Sequence, residues 1–163
     1  MAKQQRRGRA IAMDPAELDA FLTHEHTCRV ATSSPAGPHL TALWFVWDGT
    51  ALWLTSLVRS QRWTDLRRDP RLAVLVDAGE DYAELRGAEL RGRAEVIGEV
   101  PRTGTPDPAL DQTERLFADK YGAMYHDGRH AWLRLVPDSI SSWDFRKLPS
   151  ERTVAAPPGR PSA

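Results

Sequence analysis

Donor side chains are concentrated where one apolar stretch of the chain ends and a polar, helix-forming segment begins. Thr55 and Ser56 close the apolar stretch, and Arg59, Ser60 and Arg62 follow within a few residues. The start of a helix adds free backbone N–H groups and a partial positive charge. Hydroxyls, guanidinium groups and a helix start in one place predict a site for a phosphate-sized anion. The same residues also fit a capped surface helix with solvated arginines, so the spacing alone leaves both interpretations open.

Other residues that could do chemistry form weaker patterns. His24, Glu25 and His26 alternate as metal ligands would on a strand, but no third histidine stands at a suitable spacing, and no metal site is predicted. Cys28 lies on a predicted core strand, which indicates a buried, unreactive thiol. Four side chains could donate a proton by residue type, although each also suits a structural role: Tyr82, Tyr121, Tyr125 and His126.

Most of the elements that must position these residues are strands, which alternate with turn signals. Strands are predicted at Thr27–Ser33, His39–Trp47, Thr50–Ser56, Arg71–Asp77, Tyr82–Val100 and His130–Pro137, the last with Ser139–Arg146 as an extension. Helices are predicted from Pro15 to near His24, at Arg59–Arg68 and at Ala109–Tyr121. Because the strands follow one another mainly as hairpins, the pattern favours a mainly β, six-stranded antiparallel barrel with short flanking helices.

Two local patterns carry further expectations. In the second helix, spacing places Trp63, Leu66 and Arg67 on the inward side. The segments Glu84–Gly87 and Glu89–Gly92 repeat with a period of five, which puts equivalent side chains on opposite faces of a strand. The glycines of this repeat therefore predict a bulge or bend.

Composition limits the class of protein. The chain has 163 residues, with 41% hydrophobic and 27% charged residues, which is typical of one globular domain. Its apolar runs are too short for a membrane helix, and a single cysteine cannot build a disulfide framework, so a cytoplasmic protein is expected. We expect a disordered basic tail at 1–13, an ordered domain at 14–148 and a disordered Pro/Ala-rich tail at 149–163. A basic tail can contact nucleic acid, but solvation explains it better, and no nucleic-acid partner is predicted.

The order of several segments resembles the flavin-binding split-barrel family, which includes pyridoxamine 5′-phosphate oxidase and the flavin/deazaflavin oxidoreductases. The resemblance extends over about Asp14 to Phe145. It rests on the segments Leu40–Gly49, Leu52–Thr55, Ser60–Gln61–Arg62, Leu66–Arg71 and Glu84–Gly87. It implies a split barrel of the FMN-binding type and a homodimer with two cofactors at the subunit interface.

The resemblance also implies a set of cofactor-binding residues. The Ser60–Gln61–Arg62 motif would hold the cofactor phosphate, with help from Thr55 and Ser56. The backbone of the strand that carries Leu43 and Trp44 would face the tricyclic ring. Two residues of the closing segment, Trp143 and Arg146, would reach the cofactor of the other subunit.

The details favour one branch of the family. Arg62 stands where true pyridoxamine phosphate oxidases use a lysine, and their substrate-binding arginine–histidine end is missing, so pyridoxamine phosphate is not the expected substrate. The segments Leu43–Gly49 and Leu66–Arg71 look most like the actinobacterial branch that uses coenzyme F420, and 19 arginines against three lysines fit high-GC coding. We therefore expect an F420-dependent oxidoreductase that transfers a hydride between the reduced deazaflavin and a small organic acceptor. An FMN-dependent enzyme, or a protein that only binds flavin, F420 or haem, is the alternative.

Overall fold

The computed structural model describes residues 8–124 and 126–149. It contains six strands: β1 Thr27–Ser34, β2 Gly37–Trp47, β3 Leu52–Leu57, β4 Arg71–Ala78, β5 Arg86–Ile97 and β6 His130–Asp144. Three α-helices accompany them: α1 Pro15–His24, α2 Gln61–Arg68 and α3 Asp111–Tyr121. Short 3₁₀ turns occupy Arg9–Ile11, Tyr82–Glu84 and Phe145–Lys147. Of the predicted basic tail, residues 8–13 are described, and they include the first of these turns. Of the predicted C-terminal tail, only Pro149 is described, and the other residues of both tails lie outside the described residues.

The six strands form a closed barrel in the order β1-β2-β3-β6-β5-β4, and every neighbouring pair is antiparallel. The predicted fold class, a mainly β antiparallel barrel with short helices, is confirmed. Within the described ranges, every helix falls short of the length and hydropathy that a bilayer crossing requires.

Helix α1 begins with a capping box and packs its apolar side into the barrel. Asp14 accepts a hydrogen bond from the backbone of Glu17, and Glu17 accepts one from the backbone of Asp14. Phe21 and Leu22 of this helix are buried in the same core as the inward side chains of the strands. This packing places α1 against the barrel and excludes water from its interior.

Strand β5 begins later than the sequence pattern predicts. Tyr82–Glu84 forms a 3₁₀ turn, so the prediction of one continuous strand over Tyr82–Val100 is wrong at its start. The predicted bulge is confirmed, because the pairing of β5 with β6 shifts register between Arg91 and Gly92. Gly87 is packed by the indole of Trp143: a Cβ at Gly87 would lie 2.5 Å from Cζ2 of that ring.

Tyr121 fills the position where β2 leaves β1 and joins β3. The β1–β2 pairing ends at Thr27 and Trp44, and the β2–β3 pairing starts at Phe45. The Tyr121 hydroxyl accepts the Phe45 N–H at 3.0 Å and lies 2.7 Å from the carbonyl oxygens of both Phe45 and His26. One side chain therefore satisfies backbone groups that a strand partner would otherwise pair.

We expect Tyr121→Phe to lower the free energy of unfolding by about 1–3 kcal/mol, because it leaves the Phe45 backbone groups buried without a partner. Urea unfolding followed by tryptophan fluorescence measures this loss. Tyr82→Phe is the matched control, since the Tyr82 side chain is exposed. Equal stability of the two variants would contradict the role of the Tyr121 hydroxyl.

Candidate functional site

The start of helix α2 is held by its own side chain. Ser60 is the N-cap: its hydroxyl accepts the Trp63 N–H at 3.2 Å and donates to the Leu57 carbonyl oxygen at 2.8 Å. The helix buries Arg62, Trp63, Asp65 and Leu66, while Arg67 is exposed. The prediction that Arg67 faces inward is therefore wrong, because two charged residues of the same helix, Arg62 and Asp65, take the buried side with their own hydrogen bonds.

Arg62 is a buried cation without a carboxylate partner. Only 5% of the residue is exposed. Its Nη1 donates to Thr41 Oγ1 at 2.6 Å, and its Nε donates to Ser56 Oγ at 3.3 Å. Within residues 8–124 and 126–149, no aspartate or glutamate lies within ion-pair distance of this guanidinium. Burial lowers the pKa of Arg62. A buried charge that lacks a counter-charge is costly, and a bound anion would offset that cost.

The structure brings part of the predicted phosphate-binding set together. Arg62 contacts Ser56, but Thr55 faces the opposite side of β3 because side chains alternate along a strand. Gln61 donates to Asp65 Oδ1 at 2.8 Å. Sequence reasoning missed Thr41, whose hydroxyl is the shortest contact of Arg62. The available signal was its position on β2, two residues before Leu43 and therefore on the same face.

Leu43 and Trp44 point to opposite sides of β2. Leu43 is half-buried and packs against the barrel core, whereas Trp44 is exposed. The Trp44 ring stacks on the Tyr121 ring with centroids 4.4 Å apart and contacts Phe117 on α3. This stacking fixes the orientation of an exposed aromatic surface next to the backbone of β2.

Trp143 and Arg146 lie far from Arg62 within one chain. Strand β6 pairs with β3 at His130 and with β5 at Asp144, so its two ends reach opposite ends of the barrel. Trp143 is near the second end, and Arg146 is bound there by Asp144, with its Nε 2.8 Å from Oδ1. The structure of one chain thus separates these two residues from the start of α2.

The candidate proton donors have other partners or lie away from the start of α2. The Tyr121 hydroxyl is hydrogen-bonded to the backbone, and Tyr82 packs against Phe145 on the surface. His126 Nε2 is 3.3 Å from the Glu114 carboxylate. Tyr125 lies outside the described residues.

A cleft of about 530 Å³ lies directly beside the start of α2. Its walls are the Leu57–Ser60 segment on one side and Pro101, Gly128 and Arg129 on the other. In the part of the chain that the structure describes, Arg59 and Arg129 have no carboxylate partner. Arg129 was not predicted as a site residue, because it comes from a loop distant in sequence. Two guanidinium groups without a carboxylate partner among the described residues make the lining of this cleft positively charged.

Asp65 is a buried carboxylate on α2, one helical turn after Arg62. None of it is exposed, and it accepts hydrogen bonds from Gln61 and from Thr32 Oγ1, the latter at 3.0 Å. Burial by itself would raise the pKa of Asp65, but the hydrogen bonds from Gln61 and Thr32 hold it below its usual value. The Nδ1 of His39 lies 3.7 Å from Asp65 Oδ2.

A second buried cation lies near the end of β2. The Nζ of Lys120 is 4.2 Å from the centre of the Phe45 ring, and it is buried without a hydrogen-bond partner in the described residues. Burial lowers the pKa of Lys120 to about 8. Cys28 is fully buried, and burial raises the pKa of its thiol to about 12, which agrees with an unreactive cysteine.

Comparison with known proteins identifies relatives of the whole barrel. The sequence profile of the family described as pyridoxamine 5′-phosphate oxidase matches residues 14–144. A solved structure of the conserved hypothetical protein Rv2991 from Mycobacterium tuberculosis is 33% identical and has a TM-score of 0.72, with 90% of this chain and 92% of that chain covered. A comparison with proteins of curated function gave no match.

More distant structures share the fold alone. An F420 reductase is 24% identical with a TM-score of 0.57, and the match covers 76% of this chain and 94% of that chain. HutZ, a heme storage protein from Vibrio cholerae, is 13% identical with a TM-score of 0.62, and the match covers 78% of this chain and 93% of that chain.

We expect Lys120→Met to stabilise the protein most below pH 8. The folded state binds the Lys120 proton more weakly than the unfolded chain does, because the pKa falls from 10.5 to about 8 on folding. The cost of burying the charge is therefore fully present below pH 8 and disappears as the pH rises towards 10.5.

The measurement is urea unfolding of both proteins at several pH values from 7 to 9.5. The difference in unfolding free energy between Lys120→Met and the natural chain should shrink as the pH rises. Taking this difference removes the contributions of Cys28 and Tyr121, which both proteins share. A difference that does not change with pH would show that Lys120 is not buried as a cation.

Proposed function

This chain belongs to the pyridoxamine 5′-phosphate oxidase family, and on that premise we propose that it is a cytoplasmic oxidoreductase with a flavin-type cofactor, F420 in preference to FMN. The observation that carries the proposal is Arg62, a buried guanidinium held by two hydroxyls and lacking a carboxylate partner among the described residues. The fold by itself does not choose the ligand, since the relatives of similar fold include an F420 reductase and a heme storage protein. The donor chemistry at Arg62 supports a phosphate group.

The residues around Arg62 fit a cofactor phosphate. The guanidinium would donate to phosphate oxygens, and the hydroxyls of Ser56 and Thr41 keep it in place. The partial positive charge at the start of α2 acts in the same direction. When bound, reduced F420 would supply a hydride to an electron-poor acceptor. The chain would then bind and orient the ring along the backbone of β2.

The cleft with Arg59 and Arg129 favours F420 over FMN. FMN ends at its phosphate, whereas F420 continues beyond it into an acidic tail. A cleft of about 530 Å³ beside the start of α2, lined by two arginines, suits such a tail by charge. FMN is the second candidate, supported by the phosphate-binding chemistry that both cofactors share.

We also propose a homodimer that covers the outer face of β1, β2 and β4. This face carries Leu40, Ala31 and Ala73 side by side in adjacent strands. Leu40 is 65% exposed in a single chain, and Ala42 and Trp44 continue the exposed row along β2. A row of small and apolar side chains on an open sheet face supports association with a second copy. The second copy would bring Trp143 and Arg146 to the cofactor of its partner.

We expect Arg62→Gln to weaken F420 binding about 10- to 100-fold, which corresponds to roughly 1.5–3 kcal/mol, through the loss of a charge-assisted contact. Fluorescence titration of the purified protein with F420, and separately with FMN, measures both affinities. Arg67→Gln is the matched control on the exposed side of the same helix. Arg62→Lys tests whether charge alone suffices, and circular dichroism checks that each variant is folded.

Each outcome of these titrations decides a part of the proposal. Unchanged binding by Arg62→Gln would remove the phosphate assignment. Joint replacement of Arg59 and Arg129 by Gln should weaken F420 binding and leave FMN binding nearly unchanged, and tighter binding of FMN than of F420 would select FMN. Tight binding without oxidation of reduced F420 by enones, quinones or nitroaromatics would reduce the function to cofactor binding.

We expect the protein to have twice the mass of the chain in light scattering after size-exclusion chromatography. Leu40→Glu should shift it towards the monomer, because the carboxylate would be buried without a partner. Val136→Glu is the matched control, since Val136 is also exposed but lies on β6, across the barrel from β1. A monomeric natural chain, or equal masses for both variants, would contradict the proposed interface.

A further inference from the structure

The outer face of the neighbouring strands β2, β1, β4 and β5 can be divided by a line that crosses all four strands. Four residues that are register partners, one on each strand, lie on this line and form what we call the central row: Thr41, Val30, Val74 and Leu90. The last three are fully buried in the barrel. Because side chains alternate along a strand, the residues that flank the central row point outward instead.

The apolar residues that flank the central row form pairs of one large and one small side chain. On β2, Leu40 lies on one side of the row and Ala42 on the other. On β4, Ala73 lies on the same side as Leu40, and Leu75 lies on the same side as Ala42. If this face met a second copy with the two sides exchanged, each leucine would lie opposite an alanine, and large and small side chains would interdigitate.

The side of the central row that carries Leu40 and Ala73 ends in a basic region. A groove of about 550 Å³ lies there, and three arginines and one carboxylate contribute to its lining: Arg71, Arg91, Arg93 and Asp138. Arg71 and Arg93 are register partners on β4 and β5, so two like charges stand next to each other. Within the chain, Arg71 is paired with Asp69 at 2.6 Å. We call this region the basic end of the face.

The opposite side of the central row ends in an acidic region. It carries Asp77 on β4 and Glu89 on β5, together with Arg29 on β1, which is paired with Asp77. Glu89 lies 2.8 Å from Arg91, its neighbour across the row. Asp77 and Arg71 are six residues apart on β4, about 20 Å, so they do not meet within one chain. We call this region the acidic end.

We propose that two copies of the chain pack these outer faces together about a two-fold axis that runs across the strands, along the central row. This inference rests on the homodimer of the proposed function and assigns that dimer its axis. A two-fold interface uses the same surface of both copies, so the surface must complement itself. This axis brings Arg71 opposite the partner's Asp77 and Arg91 opposite the partner's Glu89. The basic end of each face then covers the acidic end of the other.

An axis along the strands would set like charges against each other. Two packed sheets whose strands stay roughly aligned can be related by a two-fold axis either across the strands or along them. An axis along β4 would place Arg71 and Asp77 each opposite the same residue of the other copy, and an axis along β1 would do so for Arg29. Like charges that face each other across an interface are unfavourable. The charge pattern therefore favours the axis across the strands.

The test is charge reversal in the full chain, with the dissociation constant of the dimer measured by analytical ultracentrifugation. We expect Arg71→Glu and Asp77→Arg each to raise this constant about 10-fold, because each places like charges opposite each other at two symmetric positions. The variant that combines both substitutions should return to within about 3-fold of the natural value. Since the two positions are about 20 Å apart within one chain, this recovery requires a contact between copies.

Arg134→Glu is the matched control. Arg134 also has an intrachain partner, Glu95 at 2.6 Å, but it lies on β6, outside the four strands of the face. Its dissociation constant should equal that of the natural chain, and circular dichroism checks that every variant is folded. If a β4 variant does not fold, Arg91→Glu repeats the single reversal on β5, and an unchanged dissociation constant would then count against the proposed axis.

The outcomes separate this axis from the dimer itself. A natural dimer that Leu40→Glu weakens, but that neither reversal on β4 weakens, would keep the proposed face and overturn the axis. Weakening by both reversals without recovery in the combined variant would overturn it as well. A monomeric natural chain would instead overturn the dimer of the proposed function, and this inference with it.

Discussion

The site depends on one unbalanced charge, the guanidinium of Arg62, which is almost fully buried between β2, β3 and α2. Hydroxyl groups of Ser56 and Thr41 solvate it, but no carboxylate of the described residues neutralises it. Such a charge disfavours the folded chain unless an anion joins it. The nearby carboxylate of Asp65 accepts hydrogen bonds from Thr32 and Gln61 instead, so it does not neutralise Arg62.

The two faces of strand β2 contact different parts of the molecule. Its inner face carries His39 and Thr41 to α2, and its outer face carries Leu40 and Trp44 to the surface. The alternation of side chains along a strand makes this division unavoidable. Tyr121 stabilises β2 at the position where this strand changes its pairing partner. Its hydroxyl is hydrogen-bonded to the Phe45 backbone, and its ring stacks on the ring of Trp44. Strand β2 therefore supplies side chains both to the contact with α2 and to the exposed surface of the barrel.

The barrel core and the candidate site are formed by different sets of residues. The closed barrel is stabilised by its apolar interior. The candidate site, in contrast, lies at the start of α2, on β2 and in the loop that carries Arg129. Structures of this fold include an F420 reductase and a heme storage protein, so the fold alone does not specify a ligand.

The sequence by itself determined the barrel, its hairpins and the position of the Ser60–Arg62 motif, because alternation, turn residues and caps are local signals. Local periodicity failed for α2, where it placed Arg67 inward and missed the buried Asp65, since a charged residue can be buried only when distant partners such as Thr32 satisfy it. Only the tertiary structure brought Thr41 and His39 to α2, and Arg129 to the cleft beside its start. These residues come from separate strands and loops, and their contacts with α2 depend on barrel closure, which no short segment of the sequence encodes.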